Sequence, residues 1–526
     1  VLTDLDILPY FYEAYCKIEP ENKRVSFDSF IGWAPTILQD FNEIDRYLID
    51  TKRFFHYLGN YKALDTERHW SLEANPTQMI TQYLDFWQKL SKYYAALNDV
   101  LSKNQVAYQG FAYRVAFEKL DQIENLPTVQ DSPDNLIVFL GLNALNTAES
   151  KIIQQLLDQK KALIYWDTDT YFLKRHYHEA GKFIREHKSN WSYYERHDLN
   201  IIGSSYDQPK NIEIISATGN LGMIQAARQA LSKLSNAELL ETAVILADEQ
   251  LLLPLLSAIP DNVDAFNITM GLSMDQLPIS SFFIDLFKLH KESSDDFYYY
   301  KNLTRVLESS FASMLAPSES RSVLKKIRKQ NLIQLKQEDF NIAEYPFTNT
   351  LLQDIDDPRD ILELVNTLLL QLKSILSKTP NSQLELEQLL GMVEVMDELN
   401  DLVRGNTNIR DLRTLSHLLR QLLPLKKLDF IGEPVQGLQI MGLLETRALD
   451  YKNILMLSVN EGTLPAGKSF NSYIPHEMKR AFDLPTYTEK DSVYAYHFYR
   501  LLHRCENASF IYNAESDTLG GGEKSR

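Results

Sequence analysis

Between Thr77 and Lys103 the apolar positions Ile80, Leu84, Trp87, Tyr94, Leu97 and Leu101 recur at spacings of three and four residues or multiples of them. That period places them on one stripe of a helix, with Pro76 and Thr77 as its start signal. Residues 1 to about 130 read as helical throughout, and rings are dense there: Phe54, Phe55, Tyr57, Trp70, Tyr83, Phe86, Trp87, Tyr93 and Tyr94. Such rings could stack nucleobases, but packing between helices is the reading preferred, because each ring buries so much area.

The pattern changes after Pro133. LIVFLGL (136–142) and ALIYWD (162–167) are short apolar runs flanking the amphipathic stretch TAESKIIQQLLDQKK, the signature of a βαβ unit in a parallel sheet. NIEIISA (211–217) and TAVILA (242–247) continue the alternation, each followed by a helical stretch. From about 280 to 430 the strand signal disappears. Leucine-rich helices such as ILELVNTLLLQLKSILS (361–377) and DLRTLSHLLRQLL (411–423) take over, the latter stopped by Pro424. Strands return in LQIMGLL (438–444), NILMLSV (453–459) and ASFIYN (508–513). The two strand-rich blocks need not be consecutive in sequence to share a sheet.

Composition narrows the classes. The 526 residues suggest three or four domains, and 71 acidic against 54 basic residues give a net charge of −17. Such a chain is no histone-like coat for nucleic acid, so any contact with it needs a local basic patch. Two cysteines, Cys16 and Cys505, are too few for a disulfide framework or a four-thiolate metal site. No apolar run reaches membrane-spanning length and no signal peptide opens the chain, so a cytoplasmic protein with no membrane partner is expected. The chain opens at Val1 inside a helical pattern and closes on Gly520, Gly521 and Gly522, which suggests trimmed ends or a piece of something longer.

The strongest motif is GLQIMGLLETRALDYKNILMLSVNEGTLP (437–465): two strands joined by a polar loop with Glu445, Arg447 and Asp450, then Asn460-Glu461-Gly462 and Leu464-Pro465. Such a loop lies at the carboxyl end of a parallel strand, where open α/β sheets bind ligands. The stretch resembles motif V of superfamily I helicases of the UvrD/RecB type. DSVYAYHFYRLLHRCENASFIYN (491–513) looks like their motif VI, with Arg504 on the arginine that reaches the γ-phosphate in that family; His503 and Cys505 replace its Thr and Ala. The variant is most similar to AddB-like proteins that carry a PD-(D/E)XK nuclease, a domain for which nothing after residue 430 supplies a motif.

The resemblance implies an α/β fold of two RecA-like, P-loop NTPase-like domains with large all-α insertions. Residues 1–130 would be a helical subdomain, 131–207 the rest of the first RecA-like domain and 208–280 the first part of the second. Residues 281–430 would be a helical insertion, and 431–526 the remainder of the second domain with a linker tail. The family's phosphate loop would lie ahead of Val1, and no Gly-x-x-x-x-Gly-Lys-Ser/Thr occurs in the chain. Motif II should end its strand in Asp-Glu to reach Mg²⁺, yet here Leu136–Leu145 contains no carboxylate before Glu149. Trp166-Asp167-Thr168-Asp169-Thr170 keeps an aspartate of motif III and loses its glutamine. The site is therefore read as dead for ATP hydrolysis, with no catalytic residue, cofactor or metal, and Asp167, Glu445, Arg447, Asp450 and Arg504 as relics of a nucleotide site. For Arg504 an ion-paired role is favoured over phosphate sensing, since its catalytic partners are gone.

Arg321, Lys325, Lys326, Arg328, Lys329 and Lys336 cluster in RSVLKKIRKQNLIQLK, mostly on one helical face. The family's insertion lies near duplex DNA, so phosphate contact and a solvated face stay equally open. His176, His178, His187 and His197 read as scattered surface histidines rather than a zinc site, and Asp167 and Asp169 as caps of the turn that follows. The function expected is a non-hydrolysing helicase-like region of a bacterial DNA-repair or recombination helicase–nuclease. Single-stranded DNA or duplex ends, and a partner helicase or nuclease subunit, would be its partners. An active ATP-dependent helicase and a protein-interaction scaffold with no DNA role are the alternatives.

Overall fold

The computed structural model describes residues 1–70, 78–120, 136–294, 297–355, 357–380, 382–405, 409, 411–428, 437–465, 472–515 and 523–525. The chain is mixed α/β and divides into two units. One holds Val1–Arg24, Ile31–Met270 and Gly432–Arg526, and the other Val25–Phe30 and Gly271–Ile431.

The first unit begins with helices α1 (Asp4–Ile18), α2 (Ala34–Arg46), α3 (Thr51–Trp70), α4 (Gln78–Lys103) and α5 (Gln109–Glu118). Thr3 starts α1 with a reciprocal cap to Asp6, satisfying backbone donors that a helix end leaves orphaned. Of the stripe on α4, Trp87, Tyr94, Leu97 and Leu101 are buried, as are Phe54 and Phe55 on α3. Pro76 and Thr77, and the side chains of Trp70, Ile80, Tyr83 and Leu84, lie outside the described residues. The described rings mostly pack against one another, Phe41 with Tyr94 at 5.2 Å and Trp33 with Phe86 at 5.4 Å between centroids. Their polar ends converge on a buried carboxylate: Tyr94, Tyr108 and Arg114 all donate to Asp45. A charge that deep is tolerated only when its lone pairs are occupied.

A βαβ unit follows, β1 (Ile137–Leu140), α6 (Thr147–Asp158) and β2 (Ala162–Tyr165), whose strands pair in parallel. Helix α7 (Lys182–Asn190) packs its Ile184 into the same cluster as Ile164 and Trp166. The main sheet holds β3 (Asn211–Ala217), β4 (Thr242–Leu246), β5 (Phe266–Ile268), β6 (Leu438–Gly442), β7 (Asn453–Leu457) and β8 (Asn507–Asn513). These six strands are all parallel, in the order β3-β8-β7-β4-β6-β5. Strands from before and after the second unit thus interleave. Thr242–Leu246 and Leu438–Gly442 are buried at every position, which is why both runs read as mostly apolar; the buried Gln439 accepts from the Asn267 side chain at 2.9 Å. Helix α8 (Gly219–Leu231) packs on β3 and β8. On α9 (Tyr487–Leu501), Phe498 lies 5.4 Å from Phe510 of β8 between ring centroids.

The second unit is mainly helical, with helices at Pro278–Lys291, Pro317–Gln330, Pro358–Leu376, Gln383–Gly405 and Leu412–Leu422. Ile361, Leu364, Val365, Leu368 and Leu372 are buried along one of them. Pro358 opens that helix behind the Asp357–Asp360 cap, and Asp411 caps the last. A two-residue antiparallel pair, Tyr298–Tyr299 with Gln334–Leu335, also lies here and is too short for any alternation to reveal it. Among the described residues no helix is long and apolar enough to cross a membrane.

Two glycines on the first unit make opposite demands. Gly437 has φ +75 and a Cβ there would sit 2.1 Å from the Ala265 carbonyl oxygen, whereas a Cβ on Gly59 of α3 meets nothing within 4 Å. Gly437→Ala should lower unfolding free energy by at least about 1–2 kcal/mol, and Gly59→Ala should raise it by about 0.5–1 kcal/mol. Urea titrations of both variants check the pair.

Asp40 on α2 accepts from the Ser472 hydroxyl at 2.5 Å and the Tyr473 amide at 2.9 Å. Burial pushes its carboxyl up to about 6, against the pull of those donors and of Lys479. A raised folded value means that its contribution to stability is full below about pH 4 and is lost as pH rises through about 6. The stability difference between the protein and Asp40→Asn should therefore fall by about 2–3 kcal/mol between pH 4 and 7. A flat difference across paired denaturation curves would refute this.

Candidate functional site

The carboxyl end of β2 runs into Trp166-Asp167-Thr168-Asp169. Trp166 is fully buried, and its backbone pairs with Asn200 and Ile202, which fixes the direction in which the next residues leave the sheet. Asp167, at 5% exposure, accepts from Arg500 Nε at 2.7 Å, and its carbonyl accepts from the Tyr496 hydroxyl at 2.9 Å. Asp169 caps the following turn through the Tyr171 amide and also accepts from the Tyr206 amide. Its second oxygen lies 2.7 Å from Nε2 of the buried His503. Burial foremost, then Arg504, pushes the His503 imidazole below its usual range despite Asp169, which favours a neutral ring; the Ser205 amide also lies 3.3 Å from its Nε2.

The β6–β7 connection supplies the other wall. Arg500 bonds the Leu449 carbonyl and reaches Asp450 at 3.0 Å, and Arg504 places Nη1 2.9 and 2.7 Å from the two Asp450 oxygens. Arg504 also donates to the Ile202 carbonyl at 3.3 Å and stands 3.8 Å from Asp167. Arg447 donates to the Gly141 carbonyl at 3.1 Å, tying this connection to the end of β1. There Gly141 adopts φ +64, and a Cβ on it would lie 3.7 Å from that of Ala448. The buried His497, beside Arg447 and Arg500, is held down at about 4, chiefly by burial.

Four of the five residues read as nucleotide-site relics, Asp167, Arg447, Asp450 and Arg504, therefore meet in one place. Glu445 does not join them. It accepts from the Gly442 amide and the Thr269 hydroxyl, closing the turn after β6. The first carboxylate after β1, Glu149, is committed to a capping box with Asn146. Asn143, at 6% exposure, has neither amide atom bonded among the described residues. Arg500, Tyr496 and the role of His503 were not foreseen. The available signal was Tyr496 and Arg500, four apart on one half-buried helix, with His503 three residues further on just beyond its end.

The histidines divide. His176 and His197 are exposed; His187 is buried against Trp166 and bonded to the Asn143 carbonyl at 2.9 Å, and His178 packs against Phe172 and Tyr499. Among the described residues no three His, Cys, Asp or Glu side chains gather as metal ligands would.

The basic cluster of the second unit also divides. Arg321, Lys325, Arg328 and Lys329 line a shallow exposed depression on the Pro317–Gln330 helix, Arg328 pairing with Glu308 at 2.9 Å. Lys326 turns to the Asp339 carbonyl and lies over Phe340 and Tyr345, and Lys336 lies over Phe297. Four cations are thus presented together, and two are folded onto rings.

Neither the known family models nor the curated proteins give a match to this chain.

Arg500→Leu should destabilise the first unit by about 3–5 kcal/mol, because it leaves Asp167 charged and buried without its main partner. Adding Asp167→Leu should restore much of that loss. A double variant as unstable as the single one would show that the pair is not the source.

Proposed function

We propose that the chain is a non-hydrolysing, helicase-like region that binds DNA and serves as a scaffold in a bacterial DNA-repair or recombination helicase–nuclease protein. On this reading β1–α6–β2 belongs to a first RecA-like domain and the six-stranded sheet to a second. The observation that carries it is the engagement of Asp167. The one motif-type acid at this strand end is bonded to Arg500, and the neighbouring β1 ends in Gly141-Leu142-Asn143. A magnesium triphosphate needs a carboxylate turned toward the metal and cations turned toward its phosphates. Here the cations Arg500 and Arg504 are turned toward carboxylates. Such a cluster suits holding two loops together better than turnover.

The DNA role rests on the four cations of the Pro317–Gln330 helix in a chain of net charge −17. Such a stripe can bind phosphates without reading sequence.

With the intact protein and single-stranded or blunt duplex DNA, no Mg²⁺-dependent ATP hydrolysis should exceed that of a blank. DNA affinity should fall with salt on a log–log slope of roughly −3 to −4, as about four phosphate contacts require. Replacing Arg321, Lys325, Arg328 and Lys329 with Ala should flatten the slope by about 3, and Lys326→Ala should leave it nearly unchanged. Measurable hydrolysis would point to an active helicase. Binding no better than to an acidic polymer, with an unaltered slope in the four-Ala variant, would point to a scaffold without a DNA role.

A further inference from the structure

A cavity of about 620 Å³ opens in the first unit beside β3 and α9, lined by Ile212, Ile214, Tyr494, Phe498, Phe510 and Tyr512. The strand on its rim is the edge of the six-stranded sheet. At its two ends the Asn211 amide donates to the Glu506 carbonyl and the Ala514 amide to the Ala217 carbonyl, both at 2.8 Å. In a parallel ladder of that register, Asn211, Glu213, Ile215 and Ala217 turn their backbone groups toward β8. Ile212, Ile214 and Ser216 turn theirs outward, where no described strand pairs with them.

Sheet edges are usually blunted by proline, by charge on the open face or by shortness. This edge has none of these: Asn211–Ala217 runs seven residues without proline, and its one charge, Glu213, alternates away from Ile212 and Ile214. Those isoleucines are 52% and 58% exposed, whereas β4 and β6 are buried throughout. Open backbone groups beside an apolar cavity are the two halves of a strand-addition site: the ladder supplies affinity, and the cavity takes alternate side chains.

Charge selects the occupant. Glu179 and Asp491 both line the cavity, and Glu179 is held by the Ser492 hydroxyl at 2.5 Å; among the described lining residues Lys524 is the one lysine or arginine. The rings alone would suit nucleobases, but two acids against one lysine repel a phosphate backbone. We propose that β3 accepts an extended apolar segment of a partner protein, flanked by lysine or arginine, as an added strand. This site stands apart from the Asp167–Arg500 cluster and does not depend on the DNA role.

The test uses the full chain and two dye-labelled peptides, acetyl-Lys-Lys-Val-Thr-Val-Thr-Phe-amide and its Glu-Glu counterpart, with anisotropy and amide hydrogen exchange as readouts. The basic peptide should bind at least about tenfold more tightly than the acidic one and slow exchange at the Ile212, Ile214 and Ser216 amides. Ile212→Ser with Ile214→Ser, at positions exposed enough to leave the melting curve unchanged, should weaken binding about tenfold. Glu179→Lys with Asp491→Lys should reverse the charge preference. Absence of binding, or protection confined to other segments, overturns the proposal. So does displacement by oligo-dT, which would make the ligand a nucleic acid, or a concentration-dependent dimer dissolved by the Ile-to-Ser pair, which would make it a second copy.

Discussion

A guanidinium at 2% exposure, that of Arg500, links two loops that the sequence separates widely. A charge taken that far from water costs several kcal/mol unless it is matched, so its position is dictated by where carboxylates can reach it. Asp167 arrives from the end of β2 and Asp450 from the β6–β7 connection, and neither can move without stranding the other's partner. Tyr496, one turn earlier on α9, holds the Asp167 carbonyl, and His503, just beyond the helix, holds Asp169. The end of α9 is thereby set against both loops. The acids and arginines of this site are already paired with one another, which is the opposite of a pocket prepared for an incoming polyanion.

What could be read beforehand follows from periodicity. Parallel strands buried on both faces are apolar at most positions, so Thr242–Leu246, Leu438–Gly442 and Asn453–Leu457 announced themselves as runs despite Thr242, Gln439 and Asn453. Strand order carries no such mark. Nothing in NILMLSV says that it pairs with TAVIL rather than with LQIMG, its nearer neighbour in sequence. The site was half legible for a related reason. Asp167, Asp450 and Arg504 stand in loops or at a helix end, where polar residues attract notice, whereas Arg500 lies inside an amphipathic helix and looks like one more solvated side chain. Only the fold shows that its face of α9 is covered.

The basic cluster teaches the same lesson in reverse. Spacing groups Lys325, Lys326, Arg328 and Lys329 together, but side-chain length lets neighbours diverge. Lys326 crosses to Phe340 and Tyr345, while Arg321, Lys325, Arg328 and Lys329 keep a common exposed depression. Long cationic side chains cover apolar surface readily, so a count of cations overstates the charge presented to a ligand. In a chain of net charge −17, four clustered cations matter through their local potential, which salt screens over about 10 Å.

The placement of the second unit in the sequence has its own physical logic. Phe266–Ile268 and Leu438–Gly442 are hydrogen-bonded parallel neighbours, Phe266 opposite Leu438, so the chain must cross from the end of one strand to the start of the next. Any parallel pair imposes that crossover, which ordinarily takes a dozen or more residues and often a single helix. Closure entropy grows only with the logarithm of loop length, about 0.6 kcal/mol per doubling. Residues Gly271–Ile431, with Val25–Phe30, form a compact unit of their own. Meanwhile β6 pairs with β4 and β5 on its two sides, and those contacts offset the closure whatever fills it. The Asp167–Arg500–Asp450 cluster draws all three of its residues from the first unit.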